Sequence, residues 1–298
     1  MSTVAVSVVV PTIGRLQLLE ACLRSLLDCE PGPAEIVIAD QSSDGCRVAA
    51  LAATLSDLVR VVRVVRQPGR GIARNMNVGL REAKHEIVLV THDDCRVEPS
   101  WVDHCHRLAL AHPDALLSGR VLPGGDDPSA VPSTRTDTIA HDFTGSLESG
   151  ALYANNMVLP RAATIRFGGF DERAGFETSA EDRDFCYRWL RAGRAVRFEP
   201  EMVVTHDDWR RPDQLVDLYR HYARTAGRFY AKHLYHGDLR IAPFVVRDFW
   251  YGARAWAGRV RHRRPLWADE RLALPLHLPI GLVEGLVESR RLGRKAGQ

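Results

Sequence analysis

A chain of 298 residues, 45% hydrophobic and 26% charged, has the composition of a globular protein. It is long enough for one large α/β domain, or a domain with an appendage. Its formal net charge of +3 is too small to suggest a dedicated nucleic-acid binder, so no nucleic-acid partner is expected. The six cysteines, at 22, 29, 46, 95, 105 and 186, form no C-x-x-C pair. With no signal peptide at the N-terminus, they read as free thiols in a reducing cytoplasm.

Val4 to Val10 is a nearly continuous apolar run closed by Pro11-Thr12, the pattern of a buried parallel strand. Leu16, Leu19, Leu23, Leu26 and Leu27 then recur at helical spacing. Glu35 to Asp40 is a second strand ending on an acid and the polar turn Gln41 to Gly45. Val48 to Leu58 suits a helix, Val59 to Val65 a third strand. Gly69-Arg70-Gly71 opens a helix with Ile72, Met76, Gly79 and Ala83 on one face. Glu86 to Thr91 is the next strand, followed at once by His92-Asp93-Asp94. Strand and helix alternating in this way predict a Rossmann-like, mostly parallel sheet flanked by helices.

Further on, Trp101 to about His112 suits a helix and Ala115 to Leu122 a fifth strand. Pro123 to Ser149 has no sustained period and reads as a long functional or disordered loop. Tyr153 to Leu159 is a strand, Gly168 to Asp171 a turn, and Ala180 to Leu190 a helix opening on Glu181-Asp182. Val196 to Phe198 and Met202 to Thr205 read as two more strands. Beyond Pro212 the pattern is helical. The expected division is therefore a sheet domain over 1–212 and a C-terminal helical region over 213–298. The most apolar window, Leu272 to Val287, is interrupted by two prolines, a histidine and a glutamate, so no transmembrane helix is expected. Basic runs at 259–264 and 290–295 are either solvated faces or places where the helices rest on anionic phospholipid.

In an open α/β sheet, ligands bind at the carboxyl ends of the strands. Thr12, Asp40, Asp93 with Asp94, and His206 all fall at such ends and can converge. The acid pair offers hard oxygen donors suited to Mg²⁺ or Mn²⁺, and such a metal suits a phosphorylated substrate. The plain alternative is an acidic turn capping the next helix. Asp40 could hold a ribose hydroxyl or a base N–H, or it could cap a turn. Thr91-His-Asp-Asp94 recurs as Thr205-His-Asp-Asp208, and two strand ends facing one metal would account for both. Glu181-Asp182 stands where a helix dipole favours negative charge. A helix cap and a general base kept ionised at neutral pH both fit that place.

Taken in order, Ser7-Val-Val-Val-Pro-Thr12, Ile36-Val-Ile-Ala-Asp40, Gly71-Ile-Ala-Arg-Asn75 and His92-Asp-Asp94 resemble family 2 glycosyltransferases. So do Gly168-Gly-Phe-Asp171, Glu181-Asp-Arg-Asp-Phe185 and Pro200-Glu-Met-Val-Val-Thr-His206. The resemblance covers about residues 4 to 208. It implies a GT-A fold and inverting transfer of a sugar from a nucleotide-sugar donor, UDP-sugar favoured, with Mn²⁺ or Mg²⁺. The acceptor would be a hydroxyl on a saccharide, a lipid-linked molecule or a small molecule, in polysaccharide, glycolipid or glycoconjugate biosynthesis.

Residue by residue, the resemblance implies that Thr12 and Asp40 hold the base and ribose. Arg70, Gly71, Arg74 and Asn75 would approach the donor's base and phosphates from the start of a helix, with Asp93 also on the donor. Asp94 and His206 would be the metal ligands and Asp182 the catalytic base, with Glu181, Asn155 and Asn156 on the acceptor side. One departure stands out: His92 occupies the position where members usually carry aspartate. Two other readings compete. A sugar-phosphate nucleotidyltransferase would want a glycine-rich loop after the first strand, where Pro11-Thr-Ile-Gly-Arg15 has one glycine. A non-catalytic nucleotide-sugar or saccharide-binding module would not need Asp94, Asp182 and His206 together.

Overall fold

The structure, a computed structural model, describes residues 2–56, 62–67, 69–125, 131–143, 153–172, 179–207, 210, 212–261 and 270–296. β1 (Thr3–Thr12), β2 (Gly32–Asp40), β3 (Val62–Arg66) and β4 (Ile87–Thr91) alternate with α1 (Leu16–Leu27), α2 (Gly45–Ser56) and α3 (Ile72–Glu82). Then follow β5 (Cys95–Val97), α4 (Trp101–Ala111), β6 (Leu116–Pro123), β7 (His141–Phe143) and β8 (Asn156–Pro160). The sheet domain closes with α5 (Arg161–Arg166), α6 (Glu181–Arg191) and β9 (Val196–His206).

The strands form one sheet in the order β3-β2-β1-β4-β8-β6-β9-β5, with β7 also on β9. Pairing is parallel from β3 to β4 and between β6 and β9, whereas β8, β5 and β7 run antiparallel to their neighbours. Alternation along β1 explains why its run is apolar throughout. Val6, Val8 and Val10 join one cluster with Leu19, Leu23 and Leu26 of α1, Val48 and Leu55 of α2, and Trp101 and Cys105 of α4. On the other face, α3 lies so close that a methyl on Gly79 would run into Val9. Both faces are covered, as expected for a sheet with parallel strands.

Three details differ from the sequence-based expectation. β5 and β7 are three residues long, too short to show a period of two. The two strands expected after residue 196 are one, β9, and its pairing with β6 shifts register at Gly119/Arg120. The six-residue helix α5 follows β8 where no helix was expected. The expected third strand's first residues, 59 to 61, lie outside the described residues, as do 126–130 and 144–149 of the expected long loop. Part of that loop is ordered as β7 and a bridge between Val121 and Arg135.

The chain divides into two compact units, 1–172 with 181–208, and 173–180 with 209–298. The second contains α7 (Pro212–Tyr235), α8 (Ala242–Arg261) and α9 (Leu274–Ala296). α7 and α9 meet along small residues. A side chain on Gly227 would strike the backbone of α9 at Leu278, and one on Gly281 would strike the backbone of α7 at Arg224. Glu284 then accepts from both Arg224 and Arg228 across the seam. The prolines do not interrupt α9, since Pro279 lies inside it. By length and composition alone, the span 271–292 is long and apolar enough to cross a membrane.

Candidate active site

Parallel pairing puts Thr12 opposite Asp40 at the ends of β1 and β2. From there the Thr12 hydroxyl donates to Asp93 Oδ2 across 2.6 Å, so strand ends 81 residues apart meet. The backbone makes this contact possible. Gly14 sits at φ 91, its N–H donates to Thr12 Oγ1 at 3.0 Å, and a Cβ there would be 2.6 Å from that of Ser42. Gly71, at φ 131, opens α3 in a conformation that side chains avoid. Its carbonyl accepts from Gln41 Nε2 at 3.0 Å, tying the start of α3 to the end of β2. Asn75 donates to the Ala39 carbonyl at 2.7 Å while its own Oδ1, buried, has no partner among the described residues.

Asp94 meets His206 because β5 pairs antiparallel with β9, setting Cys95 against His206. The amide of Asp207 donates to the Asp94 carbonyl at 2.8 Å, and His206 Nε2 lies 3.5 Å from Asp94 Oδ2. On the far side of the ring, Nδ1–H donates to the Pro132 carbonyl at 2.9 Å. That contact fixes the tautomer and leaves Nε2 facing the carboxylate, an arrangement common behind metal-binding histidines. Ligand atoms of Asp94, Cys95 and His206 all lie within 4.8 Å of one another. Burial pushes the Cys95 thiol well up, leaving a carboxylate and an imidazole as the ready donors.

The repeated Thr-His-Asp-Asp is therefore not used in register: the first copy contributes its fourth residue, the second its second. Asp207 instead pairs with Arg96 at 2.7 Å, and Asp208 lies outside the described residues.

Sequence reasoning missed Arg15. Its guanidinium pairs with Asp93 and, at 2.8 Å, with Asp94 Oδ2. Burial pushes Asp94 up, but the neighbouring His206 and the Arg15 charge outweigh it and hold the carboxyl well below the usual range. For Asp93 burial prevails over Arg15 and the carboxyl is raised. The only sequence signal for Arg15 was its place in the turn after β1.

Arg66 was missed as well. It reaches Asp40 Oδ2 at 2.7 Å while the Ser42 amide donates to Oδ1 at 2.7 Å. Asp40 thus orders its own turn, the capping role weighed for it above. Arg74 faces Glu172 at 3.5 Å, and Arg70 is exposed.

α6 begins after Ala180, a non-glycine residue at φ 67, the kind of strained backbone found at functional sites. Asp182 follows in the first turn, accepting from the Arg183 amide at 2.6 Å and the Ala154 amide at 3.2 Å. Ala154 stands two residues before Asn156, which pairs with Thr91 just ahead of the acid pair. That chain of contacts links α6 to the end of β4.

Burial raises the Asp182 carboxyl against those two amides. Glu181 is raised well above its usual range by burial and by Asp182, and its Oε2 has no partner among the described residues. Asn155 likewise keeps a buried Oδ1 without a partner among the described residues. Asn156 is a correction. Its amide donates to Arg120 and Met202 carbonyls and accepts from Trp101 Nε1 at 3.0 Å, so its side chain serves the core rather than an acceptor pocket.

Such a mixed sheet, with acids and a histidine at one edge, is an α/β architecture of GT-A type. The same architecture is found in a mannosyltransferase, PcManGT, from Pyrobaculum calidifontis, solved with GDP-Man and Mn²⁺. The two share a TM-score of 0.62 and 18% identity over 95% of this chain and 87% of that one. S. aureus TarS 1-349 in complex with UDP-GlcNAc aligns with a TM-score of 0.56 and 18% identity, over 99% of this chain and 93% of that one. The chain belongs to glycosyl transferase family 2, whose family model matches residues 7–172. The pre-mycofactocin glycosyltransferase of Mycobacterium tuberculosis is 26% identical over 199 residues, covering 62% of this chain. The match spans only 40% of that relative's length.

Proposed function

We propose that this chain transfers a sugar from a nucleotide-sugar, UDP-sugar favoured, to a hydroxyl acceptor with inversion of configuration. The observation that carries the reading is the meeting of Asp94 and His206, 3.5 Å apart, with the second ring nitrogen committed to a carbonyl. Two donors so arranged suit Mn²⁺ or Mg²⁺. A divalent cation bound there would stabilise the charge that develops on the departing diphosphate. Asn75, with its unpartnered oxygen, and Arg74 would face the donor at the start of α3. Thr12 fixes Asp93, and Arg15 offers a fork of donors suited to phosphate oxygens.

On the other side, Asp182 would take the proton from the acceptor hydroxyl. That oxygen then forms a bond to the anomeric carbon from the face opposite the nucleotide, and the bond from that carbon to the diphosphate oxygen breaks. No enzyme nucleophile enters the displacement. Burial, which raises Asp182, makes it a stronger base than an exposed carboxylate. Glu181 and Asn155 carry the unpartnered buried oxygens available to an acceptor hydroxyl.

The acceptor would be a saccharide, a lipid-linked molecule or a small molecule. All six cysteines are free, which fits a reducing, cytoplasmic setting, with the basic C-terminal helices as the part available to a membrane surface.

The test is a donor screen for release of UDP, GDP or dTDP with Mn²⁺ present. Release from one sugar nucleotide, lost in Asp182→Asn while UDP still binds, is the expected result. Normal turnover by that variant would remove Asp182 from the role. UDP binding without turnover on any donor and acceptor would favour the binding-module reading.

A further inference from the structure

The second unit combines two features that the transfer reaction does not use. Residues 209–298 contain 18 Lys and Arg against 8 Asp and Glu, a net +10. On α8, Val246, Phe249, Trp250, Trp256 and Val260 are all exposed, Trp250 at 62% and Trp256 at 48%. Separated in turn by three, one, six and four residues, they fall within one arc of the helix. Arg247, Arg254 and Arg261, seven apart, run as a row along the edge of that arc. The sole acid on α8, Asp248, is buried and accepts from the Tyr230 hydroxyl. Asp248 also pairs with Arg247 at 3.1 Å, so the charge that the row offers a partner rests on Arg254 and Arg261.

We infer that this face of α8 docks on an anionic phospholipid bilayer, lying in the plane of the interface with Trp250 and Trp256 sunk among the headgroups. The chemistry matches on both counts. An apolar arc with two tryptophans suits the boundary between headgroup and acyl chain, and a flanking row of guanidiniums suits anionic headgroups. A second copy of the chain fits less well, since a two-fold contact would set like-charged rows from the +10 regions near each other. Nucleic acid would satisfy the arginines but leave a continuous apolar arc facing phosphates. The inference stands apart from the donor and base assignments.

The experiment is sedimentation of the full chain with vesicles of phosphatidylcholine, with and without phosphatidylglycerol. Binding to the anionic vesicles, at least about tenfold above the neutral ones and weakened by salt, is expected. Two variants, Trp250→Ser with Trp256→Ser, and Arg254→Gln with Arg261→Gln, should each lower the partition on the order of tenfold. Ile139→Ser, at an exposed apolar residue of the other unit, should change nothing. All the substituted side chains are exposed, so circular dichroism and Tm should match wild type. Equal binding to both vesicle types, or wild-type binding by the tryptophan pair, would overturn the inference. So would a wild-type dimer that the tryptophan pair makes monomeric, binding to DNA or RNA in preference to vesicles, or retention on vesicles after carbonate extraction, which marks a spanning helix.

Discussion

Residues 1–208 carry 22 Lys and Arg against 29 Asp and Glu, a net −7, while residues 209–298 carry the net +10. Among the described residues, thirteen of the seventeen large hydrophobic side chains that are exposed lie in the second stretch. In the sheet unit, helices cover both faces of the strands and the apolar residues disappear inside. There, buried polar groups include a cluster where strand ends converge, Thr12, Asp40, Asp93, Asp94 and His206, alongside others such as Ser7, Glu35 and Asp184. In the helical unit, α7 and α9 satisfy each other through glycine contacts and leave the outer arcs of α8 and α9 uncovered. The convergent buried charge is what the candidate reaction site rests on, and the exposed apolar surface is what the proposed docking face rests on. The two should respond to different mutations.

The largest effect is expected at the base. Asp182→Asn should lower turnover by about 10²–10⁴-fold with UDP affinity and vesicle binding unchanged. Because burial raises Asp182, the acidic limb of kcat/KM against pH should lie above the ordinary carboxylate range.

Asp94→Asn or His206→Ala should weaken Mn²⁺ binding, followed by calorimetry, on the order of 100-fold. Loss of vesicle binding in the same variants would show that the two units are not separable.

Arg15→Gln should have a smaller, two-signed effect. Mn²⁺ binding without nucleotide should tighten several-fold, because the guanidinium no longer occupies the Asp93–Asp94 pair. UDP binding should weaken, because a phosphate partner is gone. If both stay unchanged, Arg15 only supports the turn after β1.

The smallest change is in stability. Glu181 is raised well above the usual glutamate range, so the folded protein keeps this proton where the unfolded chain has lost it. Its contribution is complete below the unfolded pKa and is lost as pH rises through the folded one. Glu181→Gln should therefore raise Tm by a few degrees at neutral pH, on the scale of about 2–4 °C per kcal/mol, with the gain fading in acid. A Tm difference independent of pH would refute this account.

The order of β1 to β4 with α1 to α4, then β6, β8 and α6, and the acids and histidine at the strand ends, were legible from residue pattern; β5, β7 and α5 were not. A buried strand needs only a run of apolar residues, and a strand end needs only the polar group that follows it. Those are local properties of the chain. Thr12, Asp93, Asp94 and His206 came together as the strand-end rule anticipates.

Pairings between distant segments were not legible. The β5–β9 register, which sets His206 rather than Asp207 toward Asp94, joins residues 111 apart and depends on a three-residue strand. Whether Asn156 faces the core or a pocket, and whether Arg15 closes over the acid pair, depends on partners brought by other elements. The apolar arc of α8 is periodic in either case. Only packing, which turned Asp248 and Gly252 inward, determined that the tryptophans would face outward.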